Sequence, residues 1–113
     1  MEIEQKYIHE VPVLALAGNM VGDYESDAFH MEIEKLTQMG HTKIVLDLGK
    51  VDWMGSLCVG AIMRDVISLR KKGGDIYLSS LSRKVQRVLH ITQLDGIINI
   101  FDSVHEAVKE FKK

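Results

Sequence analysis

Lys43-Ile44-Val45-Leu46-Asp47-Leu48-Gly49-Lys50-Val51-Asp52-Trp53-Met54-Gly55-Ser56 is the stretch on which the fold turns. Its first six residues form a short apolar run, bounded by His41-Thr42 on one side and Gly49-Lys50 on the other. A run of that length, with no polar alternation, predicts a central strand buried on both faces. After the loop Val51 to Gly55, Ser56 opens a helix that runs to about Lys72, where Gly73-Gly74 stop it. Serine is among the best helix N-caps, and capping alone accounts for its presence there.

Working outward, Val11 to Ala17 is a β-branched-rich run closed by Gly18-Asn19. It predicts a strand, with the weakly alternating Glu2 to His9 as an edge partner. Gly22-Asp23 opens the first helix, capped by Asp23 or Ser26, and Gly40 ends it. Asp75 to Leu78 is the next strand. Ser82 caps a third helix carrying Val85, Val88 and Leu89, and Ile97 to Phe101 is the last strand. Ser103-Val104-His105-Glu106 has capping-box spacing and starts a final helix. The order is β-β-α-β-α-β-α-β-α. Strands separated by helices of this length form a mostly parallel sheet, and an antiparallel first pair makes it mixed. The expectation is one α/β domain over residues 1–113.

Composition bounds the function. The 113 residues are 46% hydrophobic and 27% charged, an ordinary globular mix, with a formal net charge of −2. Lys and Arg are dispersed, which argues against direct nucleic-acid binding. Cys58 is the only cysteine, so no internal disulfide forms, and a reducing compartment fits. The charged N-terminal residues lack signal-peptide character, and no apolar run is long enough to span a bilayer. A cytoplasmic protein without membrane insertion is expected, either a monomer or a weak homodimer through an exposed edge strand.

No enzyme signature emerges. Phosphate-binding loops need clustered glycines between strand and helix. Here Gly49, Gly55 and Gly60 have the wrong spacing. The five histidines are scattered, and neither a metal nor a cofactor is expected. Ser56 sits where open α/β sheets place functional sites, behind a central strand and at a positive helix end. The helix it begins is apolar beyond one face. Val59, Ile62, Met63, Val66 and Leu69 form a stripe, and Leu57, Cys58, Ala61 and Ile67 lie outside it. Such a helix is either deeply buried or presents a surface to a partner.

Taken together, Ile44-Val45-Leu46-Asp47-Leu48 and Val51-Asp52-Trp53-Met54-Gly55-Ser56 resemble the signature of STAS domains, V-L-D-L-x-x-V-x-F-[IM]-D-S-[ST]-G-L-G. The resemblance continues through Arg70 to Leu78, Val85 to Leu89, Leu94-Asp95 and Ile100 to Val108. It covers nearly the whole chain and implies the fold of bacterial anti-sigma factor antagonists. It also implies partner switching. The unphosphorylated antagonist binds an anti-sigma factor that is also a serine kinase. Phosphorylation of the serine at the helix start, here Ser56, ends binding, and a phosphatase resets the system.

The loop departs from that pattern. Gly55 replaces the usual Asp, Leu57 the usual Ser or Thr, Cys58 the next Gly and Val59 the next Leu, so that only Ser56 and Gly60 remain. Val21 stands where an acid is common, with Asp23 two residues later. The resemblance places the partner-binding surface on Val21, Asp23, Met54, Gly55, Ser56, Leu57, Cys58, Gly60 and Ala61. A second reading is a non-phosphorylated STAS adaptor, in a sensory complex or as a transporter accessory subunit. A third is a small-molecule or nucleotide module, which the missing phosphate-loop glycines disfavour.

Overall fold

The computed structural model describes residues 1–113. Its elements are β1 (Glu2–Ile8), β2 (Val11–Met20), α1 (Asp23–Gln38), β3 (Lys43–Met54), α2 (Ser56–Lys71), β4 (Asp75–Ser79), α3 (Arg83–Ile91), a 3-10 turn (Leu94–Gly96), β5 (Ile100–Phe101) and α4 (Val104–Phe111). The strands lie in the order β1-β2-β3-β4-β5. β1 is antiparallel to β2, and every later pair is parallel. The element order and the mixed sheet are those expected, and the 3-10 turn is an addition.

Side-chain alternation splits the core in two. Leu14, Leu16, Ile44, Leu46, Ile76 and Leu78 point to one face, where α1, α2 and α3 cover them with Phe29, Ile33, Ile62, Val66 and Leu89. Val11, Val13 and Val45 point to the other, under Ala107, Val108 and Phe111 of α4. Tyr77 stacks on Phe111 there, with ring centroids 3.7 Å apart. β3 is therefore buried on both faces.

Several boundaries differ from expectation. β2 and β3 run on to Met20 and Met54 rather than stopping at Ala17 and Leu48. The reason is two irregularities in their pairing. Ala15 pairs with Asp47 but Ala17 with Lys50, and Gly18 pairs with Val51 but Met20 with Met54. At each step β3 carries one extra residue, a bulge that shifts which side chains face inward. Strict alternation from Leu48 would bury Lys50 and Asp52; the first bulge buries Val51 in their place, and the second puts Met54 rather than Trp53 on the buried face.

At the other edge, only Ile100 and Phe101 are strand. Gln93 adopts a left-handed conformation (φ 62°), the 3-10 turn follows, and pairing with β4 begins where Leu78 N–H donates to Asn99 O at 3.0 Å. Ser82 caps α3 as expected, accepting from Val85 N–H at 3.2 Å. Ser103 accepts from Glu106 N–H at 3.1 Å, which is the serine half of the expected box.

Candidate docking surface

The two longest helices start side by side because their preceding strands end side by side. Met20 and Met54 are paired at the ends of β2 and β3, and Gly55 N–H donates to Met20 O at 2.8 Å. The first turns of α1 and α2 therefore share one rim of the sheet, at the carboxyl ends of the strands, where open α/β sheets carry their sites.

Neither helix is capped by the expected side chain. The N-cap of α1 is Gly22, and the Glu25 carboxylate accepts the Gly22 N–H at 2.8 Å. Asp23 instead lies exposed in the first turn, and Ser26 is buried within the helix. The N-cap of α2 is Gly55, not Ser56. Ser56 is the first helical residue, so its hydroxyl is free of a capping role and exposed. The ladder of α2 begins with Val59 N–H donating to Gly55 O, and no side chain caps the turn before it. α2 has no acid in its first turn either. The acid whose charge reaches its positive end comes from α1: Glu25, which acts on Cys58.

The residues implied as partner-binding divide into two sets. Val21 (51% exposed) and Leu57 (43% exposed) reach solvent with Asp23 and Ser56, while Gly55 and Gly60 are half-buried. A Cβ added at Gly55 would lie 3.5 Å from the Val21 backbone, so these two positions adjoin. Met54, Cys58 and Ala61 are a correction, because they are buried in the core and cannot reach a partner directly. Helical geometry decides this: once Val59, Ile62 and Val66 face the sheet, Cys58 and Ala61 turn inward with them and Leu57 turns out. Cys58 serves as a strut, its thiol donating to Gly22 O at 3.8 Å. Burial pushes that thiol above its ordinary pKa, and the nearby Glu25 charge adds to the effect.

Two exposed aromatics extend the rim. Tyr24 is 74% exposed in the first turn of α1. Trp53 is also exposed and lines a groove of about 580 Å³ with Asn19, Asp52, Ser82, Arg83 and Lys84. A second feature lies deeper between α1 and α2. Asp65 is buried, its Oδ1 is 2.8 Å from His30 Nδ1, and its Oδ2 has no partner. Burial raises the Asp65 pKa, against the lowering pull of the His30 hydrogen bond. The sequence carries a signal for it, an acid standing at a position that shares the buried side of α2.

Compared with known proteins, residues 2–107 match the STAS domain. The chain belongs to the STAS domain family. This STAS domain is 35% identical over 80 residues to a candidate anti-sigma factor antagonist of Thermotoga maritima, covering 71% of each chain. It superposes on the crystal structure of a candidate antagonist from the same organism with a TM-score of 0.88 at 28% identity, covering 98% of this chain and 95% of that one. The phosphorylated form of the Bacillus cell fate determinant SpoIIAA has the same fold, with a TM-score of 0.73 at 18% identity over 97% of this chain and 99% of that one. No helix is long and apolar enough to cross a membrane.

Proposed function

We propose that this STAS domain is an anti-sigma factor antagonist that docks an anti-sigma factor of the serine-kinase type on the rim formed by Val21, Asp23, Gly55, Ser56, Leu57 and Gly60. Phosphorylation of Ser56 ends docking, and a phosphatase restores it. The observation that carries the reading is Ser56 itself, an exposed hydroxyl at the first position of an uncapped helix, beside exposed Val21 and Leu57. About two negative charges placed among apolar contact residues oppose docking through desolvation and repulsion. The free N–H groups of the α2 first turn would hold the phosphoryl group in place within its own domain.

The adaptor reading has a specific observation in its favour: Gly55 and Leu57 replace the acid and the hydroxyl that flank the serine in the family pattern. One experiment separates the two. The protein is isolated from its native host, in growing and in stressed cells, and its intact mass and bound proteins are recorded. A single phosphate mapping to Ser56, with a kinase-like partner lost from that fraction, supports switching. An unmodified mass in both states, with one partner always bound, overturns switching and leaves the adaptor.

A further inference from the structure

His30 and Asp65 are 35 residues apart in sequence, yet they form the one hydrogen bond between a side chain of α1 and a side chain of α2. Each lies about the same distance behind its helix start. His30 follows the N-cap Gly22 by eight positions and Asp65 follows the N-cap Gly55 by ten, which at 1.5 Å per residue is about 12 Å and about 15 Å. The pair is thus a crossbar set below the rim on which Val21, Tyr24, Ser56 and Leu57 stand.

Its protonation state changes what it holds together. The 2.8 Å contact between Nδ1 and Oδ1 carries one proton. With that proton on Nδ1, the neutral ring turns the lone pair of Nε2 towards Glu34 Oε1, 3.7 Å away. Lone pair and carboxylate repel, and the buried Asp65 Oδ2 stays unpartnered. When a second proton is taken from solvent at Nε2, the ring becomes an imidazolium. It then spans two carboxylates, Asp65 on α2 and Glu34 on α1, and compensates a charge that burial makes costly. Arg64, on the same helix as Asp65, is the remaining charged group that acts on it. The His30 side chain is 53% exposed, so the proton has a direct path from solvent.

We propose that His30, Asp65 and Glu34 form a proton-binding crossbar that couples the spacing of the α1 and α2 starts, and so the shape of the rim, to pH in the range where imidazoles titrate. The crossbar is joined to the rim by the helices that carry it, α1 back to Gly22 and α2 back to Gly55, and the Cys58 thiol on Gly22 O is a second contact between those two starts. A change in helix spacing therefore reaches Gly22 and Gly55 directly. That the rim is a docking surface rests on the function proposed above; the coupling of proton uptake to rim geometry does not.

The test needs no partner. Amide and histidine-ring resonances of the isotope-labelled full chain are followed from pH 5 to pH 8, in the wild type and in His30→Gln. Glutamine keeps a donor for Asp65 but cannot take the proton. The expected result is that the Gly22, Tyr24, Ser56 and Leu57 amides titrate with the midpoint of the His30 ring. In His30→Gln that inflection is lost. Amides that do not move with pH overturn the proposal, as do amides that follow another histidine or keep their inflection in His30→Gln. If His30→Gln does not fold, the wild-type comparison of amide and ring midpoints decides alone. Intact co-titration, with no partner bound in the native-host isolates, would count against the docking reading and leave the crossbar standing.

Discussion

Gly55 donates its backbone N–H to Met20 O at 2.8 Å, and that bond fixes the start of α2 against the end of β2. It also fixes what residue 55 can be. A Cβ there would meet the Val21 backbone at 3.5 Å, ordinary van der Waals contact. The acid common at this position in the family is therefore absent for a reason other than space. Gly55→Asp should fold and gain roughly 0.5 kcal/mol from capping and from charge at the helix start. A higher urea midpoint checks the first part. If the proposed kinase partner is isolated, faster phosphorylation of Ser56 by it would show that the missing acid limits recognition.

Gly60 lies inside α2, one turn beyond Ser56, and a Cβ added to it meets nothing within 4 Å. Alanine costs a helix less conformational entropy than glycine, so Gly60→Ala should stabilise the domain by about 0.5–1 kcal/mol. The same methyl group fills a notch on the proposed docking face. A rise in melting temperature together with weaker partner binding is the expected pair of results. Unchanged binding would remove Gly60 from the contact surface.

Gly74 is the opposite case. A Cβ there would lie 1.8 Å from Thr42 O, the carbonyl that accepts the Asp75 N–H as β4 joins β3. Neither backbone can yield without breaking that junction. Gly74→Ala should cost more than about 3 kcal/mol, in the range of severe steric lesions. The neighbouring Gly73 has φ +83° and open space, so Gly73→Ala carries only the strain of a left-handed residue, about 1–2 kcal/mol. Urea unfolding of the two variants should separate them clearly.

Cys58 is buried, and its raised pKa keeps it a thiol near neutrality. Thiolate is the reacting form, and burial also blocks the reagent. Native protein at pH 8 should react with a disulfide reagent at least about a hundredfold more slowly than the same protein in urea. Similar rates would place Cys58 at the surface and return it to the docking rim.

The raised pKa of Asp65 sets a sign for stability against pH. Between its unfolded value, about 3.9, and its higher folded value, the native state binds more protons than the unfolded chain. Stability from this group therefore rises as pH falls through that window, and the full burial penalty is present above it. Asp65→Asn removes the charge and keeps an acceptor for His30. Relative to wild type it should be more stable at pH 8 than at pH 4, by on the order of 1 kcal/mol. An equal difference at both pH values would mean that the carboxylate is not penalised in the fold.

The residues on the rim show how far local pattern reaches. Ser56 and the helix behind it are legible because a strand-length apolar run, a glycine and a helical stripe are local signals. Which neighbours of Ser56 face out is not local. Leu57 and Cys58 are both apolar and adjacent, yet 43% of one is exposed and 1% of the other. The angle at which α2 settles on the sheet decides between them.

What the amino-acid order determines by itself is the succession of elements, the two-faced character of β3 and the serine at the start of α2. Each follows from spacings of two or three to four residues, which backbone geometry translates directly into a strand or a helix face. Tertiary structure alone decides the rest. The bulges that bury Val51 and Met54 exist because β3 carries extra residues against β2, and no property of β3 alone reveals its register. The bond between His30 and Asp65 exists because two helices, each commonplace in isolation, are laid together by strands that end side by side. Propensity acts along the chain, whereas register and side-chain pairing are settled only when distant segments compete for the same buried space.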